Sequence, residues 1–159
     1  ILSQVDEVPT LVFDEVDVGV GGRAGQVVGQ KLWGMTGRHQ VLCITHLPQV
    51  AAFADVHYAI SKEVVEAASG ESSRTRTNLR VLTLDERIDE LAAMLDGTPV
   101  SDSSRANARE IIGRSQKAKE SLLAEIQQAQ MTMWETGEHH VPMLTPVSPP
   151  VVSSEVKSK

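Results

Sequence analysis

The chain has 159 residues, enough for one domain with its own core. Hydrophobic residues make up 41% and aromatic residues only 3%, so the core has to be built from Val, Leu, Ile and Ala. The formal net charge of −6 excludes nucleic-acid binding by bulk electrostatics and leaves room only for a local basic patch. The lone cysteine, Cys43, excludes an intrachain disulfide and fits a reducing compartment. No apolar run approaches the roughly 18 residues of a membrane span. The opening residues, ILSQVDEVPT, lack a basic-then-apolar leader pattern, and a strand follows almost at once. The chain is therefore expected to begin inside a larger protein.

TLVF (Thr10–Phe13) reads as a strand buried on both faces, because it is a continuous apolar run. An acidic and glycine-rich segment, Asp14–Gly22, follows. Ala24, Val27, Val28, Leu32 and Met35 recur at helical spacing, which predicts an amphipathic helix from Arg23 to about Met35. Gly25 and Gly29 are expected on its other side, weakening it. QVLCIT (Gln40–Thr45) is a second buried strand, with His46 at its end. Pro48 opens a short helix to about Ala54, since proline is tolerated in the first turn.

VHYAISKEV (56–64) and SRTRTNLRVLTL (73–84) predict two strands around a polar turn, Ala68–Ser73. Asp85 is expected to cap a helix through Leu95, with Ile88, Leu91, Ala92 and Leu95 as its apolar stripe. A long helix starts near Ser103 or Ser104. Its stripe is Ala108, Ile111, Ile112, Ser115, Ala118, Leu122, Leu123, Ile126 and Ala129, broad enough to pack along the rest of the domain. Residues 1–134 are read as one folded unit. From Glu135 the composition turns to proline and serine, and 135–159 reads as a disordered tail.

Strand, helix, strand is a βαβ unit with a right-handed crossover. Asp14, Glu15 and His46 leave the carboxyl ends of its two strands, the edge where open α/β sheets bind ligands. These residue types suit phosphoryl transfer. An aspartate at a strand end holds Mg²⁺ through its water shell. A neighbouring glutamate orients and polarises an attacking water. A neutral histidine donates a hydrogen bond to a phosphate oxygen. The glycines after Glu15 allow close approach of a ligand or a second subunit. Each element taken singly has a plainer reading, a polar loop after a strand; it is their order on one edge that favours a site.

TLVFDE resembles the Walker B motif of ABC-type ATPases, and VLCITH resembles their switch-histidine segment. The fuller run LVFDEVDVGVGGRAGQVVGQKL, followed by HQVLCITHLPQVAAFAD, resembles the carboxyl-terminal part of the ATPase head in the RecN family of SMC-like bacterial DNA repair proteins. DERIDELAAML and ANAREII are similar to that family's closing helices, so the likeness runs over roughly Pro9 to Ser115. It implies a P-loop NTPase α/β lobe of the ABC/SMC head type, with parallel strands, a small antiparallel hairpin and carboxyl-terminal helices, incomplete without an amino-terminal lobe. It also implies Asp14 as the Walker B aspartate, Glu15 as the catalytic glutamate and His46 as the switch histidine. Val18, Gly19, Gly21 and Gly22 then fall in the D-loop, at the contact between two heads. At Gly21 the family usually carries serine, so only a backbone contact is expected there.

ATP and Mg²⁺ are the implied cofactors, and DNA and a second head (a homodimer) the implied partners. The implied place is the cytoplasm, near the nucleoid, with no membrane. No G-x-x-x-x-G-K-[ST] and no LSGGE-like signature occurs in the sequence. This chain alone is therefore expected neither to bind ATP tightly nor to hydrolyse it.

Arg74, Arg76 and Arg80 alternate on one strand face and could meet DNA phosphates, although a solvated outer face is the plainer reading. His139 and His140 cannot complete a zinc site by themselves. DEVD (Asp14–Asp17) also fits motif II of DExD helicases, but ITH stands where a Ser-Ala-Thr-type segment is expected. A non-catalytic interaction module derived from an ATPase head is the remaining alternative.

Overall fold

The computed structural model describes residues 8–65 and 74–136. Strand β1 (Thr10–Asp14) pairs in parallel with β2 (Gln40–Ile44), Thr10 opposite Gln40 and Asp14 opposite Ile44. Helix α1 (Gly22–Gly34) makes the crossover between them, as the alternation of patterns predicts. After the short helix α2 (Pro48–Ala51), β3 (Tyr58–Val65) and β4 (Arg74–Val81) form a separate antiparallel hairpin. Helices α3 (Leu84–Asp96) and α4 (Asp102–Thr136) follow. The result is a mixed α/β fold with a parallel strand pair, an antiparallel hairpin and carboxyl-terminal helices. The expected turn at Ala68–Ser73 and the expected tail from residue 137 onward lie outside the described residues, and α4 runs two residues past the expected boundary.

The strands are not buried on both faces. Leu11, Phe13, Val41 and Cys43 are half-buried, but Val12 is 66%, Leu42 48% and Ile44 52% exposed. Strand geometry sends alternate side chains to opposite faces. An apolar run shows that a strand tolerates burial twice, yet only a second layer buries it. No described element covers that side.

The core lies instead among the helices. Ala51, Ala52, Ile88, Leu91, Ala92, Ala108 and Ile112 form one cluster, with Met94, Leu95, Val100 and Ile111 against it. The stripe expected on α3 is the stripe that packs. Its cap is Thr83, not Asp85: the Thr83 hydroxyl accepts from the Glu86 backbone N–H, and the Glu86 carboxylate accepts from the Thr83 backbone N–H. Glutamate at the third helical position completes this reciprocal box, which leaves Asp85 as an exposed acid in the first turn.

Helix α1 is rotated relative to its expected face. Gly25, Gly29 and Leu32 are buried, whereas Ala24 and Val27 are exposed. The glycines let α2 approach: a β-carbon at Gly25 would meet Leu47 and Gln49 at 3.2 and 3.3 Å. Helix α2 ends at Ala51 rather than near Ala54, because Phe53 and Ala54 donate to Val50 and Ala51, a tighter three-residue spacing. Arg87 Nη2 donates to the carbonyls of Ala51 and Ala52 at 3.2 and 2.7 Å, and the buried Ser115 hydroxyl donates to Ala52 at 2.9 Å. These bonds satisfy the Ala52 carbonyl, which the end of the helix leaves open, and give the Ala51 carbonyl a second donor beside the Ala54 N–H.

Trp33 Nε1 donates to both Asp55 carboxylate oxygens, and Lys119 Nζ lies 2.6 Å from Asp55 and 5.0 Å from the Trp33 ring centroid. This contact ties α1 to the first half of α4. Leu122 still lies against α1, its Cδ2 3.5 Å from where a β-carbon on Gly34 would stand, and past it the expected packing of α4 thins, with Leu123 43% exposed. The stripe continues in sequence to Ala129, which is exposed, with Ile126 half-buried.

Candidate functional site

Parallel pairing makes the carboxyl ends of β1 and β2 coincide, so Asp14, Glu15 and His46 share one edge of the sheet. Asp14 and Glu15 are exposed, and neither side chain takes a hydrogen bond or ion pair from a described residue. Glu15 adopts φ +51°, a left-handed conformation rare outside glycine and found at functional sites. A turn closes behind it, with the Val18 N–H donating to the Glu15 carbonyl at 3.3 Å. Gly19 takes φ +75° in the same loop, and the Val20 N–H donates to the Asp17 carbonyl at 3.0 Å. Val18 is 70% exposed, Gly21 precedes the first turn of α1, and Gly22 begins it.

Sequence reasoning did not single out Asp17 as a site residue. Its side chain is fully buried. One carboxylate oxygen, Oδ2, accepts from the Thr45 hydroxyl, from the His46 N–H at 3.0 Å and from the Leu47 N–H at 3.1 Å. The same oxygen lies 3.7 Å from His46 Nδ1. Burial alone would raise the Asp17 carboxyl, but these hydrogen bonds outweigh it and hold the group below the usual carboxylate range. The charge is felt on β2 as well, where burial and then Asp17 push the Cys43 thiol up. The available signal was the spacing itself: a third acid two residues after Glu15, and a threonine directly before His46.

His46 is exposed, its side chain 72% accessible, and it stands at the same end of the sheet as Glu15. The basic stripe on β4 belongs to the hairpin, a separate sheet from β1 and β2. Arg76, Asn78 and Arg80 alternate along it, opposite Glu63, Ser61 and Ala59, and Arg80 pairs with Glu86. Among the described residues no group of three or more His, Cys, Asp or Glu is placed to hold a metal ion. A single exposed aspartate does fit Mg²⁺ that keeps most of its waters and takes its other oxygens from phosphates.

No family model matches the chain. Among curated proteins, the DNA repair protein RecN of Mycobacterium leprae is 48% identical over 110 residues, which cover 69% of this chain and 17% of that protein. RecN of Xylella fastidiosa strain 9a5c is 42% identical over 113 residues, 71% of this chain and 19% of its own length. RecN of Bacillus subtilis is 39% identical over 119 residues, 75% and 20% respectively.

The chain belongs to the RecN family. It spans about one fifth of the length of the curated RecN relatives it matches. No helix among the described residues of this RecN-family chain is long and apolar enough to cross a membrane.

Proposed function

We propose that this chain supplies the Walker B and switch-histidine half of an ATP-hydrolysing site in a DNA repair protein of the RecN type. The supporting observation is the parallel register that delivers Asp14, Glu15 and His46 to one sheet edge. Family membership adds to it, since the relatives are DNA repair proteins by name. The structural counterpart is a P-loop head lobe of the ABC/SMC type, completed by the phosphate loop and signature of a longer polypeptide.

Asp14 would hold Mg²⁺ through its water shell, and the ion would supply charge neutralisation between phosphates. Glu15 acts as the general base. Its carboxylate takes a proton from the attacking water as that oxygen bonds to the γ-phosphorus and the bond to the ADP oxygen breaks. His46 in its neutral form donates a hydrogen bond to a γ-phosphate oxygen and registers its departure. Val18, Gly19, Gly21 and Gly22 face a second head across the nucleotide. Engagement of two heads on ATP then changes the grip on DNA, in the cytoplasm at the nucleoid. The chain by itself, without phosphate loop or signature, turns over no ATP.

The test uses a full-length RecN-family protein carrying this segment. Glu15→Gln is expected to lower turnover by about a hundredfold or more while ATP binding persists, and His46→Ala by about tenfold or more. Unchanged turnover in Glu15→Gln would remove Glu15 from its role. An intact full-length protein with no turnover at all would leave the interaction-module alternative.

A further inference from the structure

We propose that Asp17 is a positioning residue: a buried carboxylate that locks the loop carrying Glu15 to the loop carrying His46, so that the two groups move as one unit. The consequence for turnover rests on the nucleotide-site reading, but the coupling itself does not.

The contacts form a continuous path. The Glu15 carbonyl is bonded to the Val18 N–H, which closes the turn containing Asp17. Asp17 Oδ2 then holds the Thr45 hydroxyl and the backbone N–H groups of His46 and Leu47. The Leu47 N–H is shared, donating also to the Thr45 hydroxyl at 3.0 Å. Two loops that follow different strands are thereby joined through a single oxygen.

A carboxylate is an expensive choice if stability were the only requirement. It is taken fully out of water, and its second oxygen, Oδ1, is buried with no partner among the described residues. An unpaired buried acceptor is destabilising. What the carboxylate provides is an acceptor strong enough for three convergent donors, in a loop whose neighbouring residue Glu15 already sits in a left-handed conformation. Such over-determination is how a strained, function-bearing backbone is kept in place.

The bonding pattern separates positioning from charge. All three donors use Oδ2, so an asparagine with its carbonyl oxygen there keeps the acceptor and loses the charge. Its amide group would then occupy the unpartnered Oδ1 position. Alanine removes everything. Valine at position 45 removes the hydroxyl, both its donation to Oδ2 and its acceptance from the Leu47 N–H, and keeps the branched shape.

The experiment compares Asp17→Ala, Asp17→Asn and Thr45→Val in a full-length RecN-family protein carrying this segment, with Glu15→Gln alongside. It reads kcat and KM for ATP, and hydrogen–deuterium exchange in peptides covering 15–21, 44–50 and α3. Asp17→Ala is expected to lower kcat by about tenfold or more with KM for ATP changed less than about threefold. Exchange should rise in both loop peptides and stay level in α3. Asparagine should restore most of kcat, and Thr45→Val should fall between.

Unchanged kcat, faster exchange in one loop only, or equal faster exchange in α3 would each overturn the assignment. If Glu15→Gln keeps full turnover, the nucleotide reading fails, and the exchange data still decide the coupling. If Asp17→Ala does not fold, Thr45→Val carries the same comparison.

Discussion

A β-carbon placed on Gly29 would stand 2.5 Å from Phe53 Cδ2 and 3.2 Å from the Gln49 carbonyl oxygen. Phe53 is 3% exposed and has no room to swing away. Gly29→Ala is therefore expected to destabilise the fold by about 1–3 kcal/mol of overpacking, partly offset by about 1 kcal/mol of better helix propensity. Gly113, in α4, is the control. Nothing lies within 4 Å of a β-carbon there, so Gly113→Ala should stabilise by about 1 kcal/mol. Urea unfolding of the two variants checks the opposite signs.

That contrast also shows what the sequence could convey. Gly25 and Gly29 look like interruptions when apolar side chains are counted, and the count points α1 toward Ala24 and Val27. Their role becomes visible only with α2 in place, because a missing side chain leaves no mark in a hydrophobic pattern. Thr83 and Asp85 are both acceptable caps, and the reach of Glu86 back to Thr83 decides between them. The paired strands and the stripe of α3 were legible because each needs only local periodicity. The edge shared by Asp14, Glu15 and His46 was legible because parallel strands linked by a helix leave little choice. Asp17 was not, since its burial depends on donors from a loop that follows another strand.

Glu15 carries a local strain that a glycine would not. Glu15→Gly removes the Cβ clash of the left-handed conformation and should raise stability by about 1 kcal/mol. Glu15→Gln keeps the strain and should leave stability within about 0.5 kcal/mol of the parent. Thermal unfolding separates the two. Equal stability of both would mean that the turn relaxes at no cost.

The box at the start of α3 has its own signature. Thr83→Ala should cost about 1 kcal/mol in thermal or urea unfolding, measured at pH 7. The backbone N–H and hydroxyl of Thr83, with Arg80 beside them, hold the Glu86 carboxyl below its ordinary value. A depressed carboxyl contributes stability above its unfolded value near about 4.3 and loses it as pH falls through the folded one. The cost of Thr83→Ala should accordingly shrink below pH 4. A cost that is the same at pH 3 and pH 7 would show that the charged form of Glu86 adds nothing.

His57 gives a pH dependence in a different window. Burial pushes its imidazole below the ordinary value, and the charge of Arg87 adds to the effect. Its Nδ1 is buried with no partner among the described residues. The unfolded imidazole takes a proton near about pH 6.5, the folded one only at lower pH, so between these values the unfolded chain binds more protons. Stability present above about pH 6.5 is therefore expected to fall as the pH drops toward the folded value. His57→Gln should flatten that decline, read as the gap between urea midpoints at pH 7.5 and 5.5. An equal gap in both proteins would remove His57 as its source.

The exposed aliphatic surfaces have a practical consequence. Val12, Leu42 and Ile44 line the open side of one sheet, and Tyr58, Ile60, Leu79 and Val81 share one side of the hairpin, all 44–66% exposed. Two greasy platforms, whose outer strand borders are unpaired among the described residues, invite sticking between copies when this stretch is produced by itself. Purification should succeed best when the remaining four fifths of a RecN-length polypeptide are made alongside it.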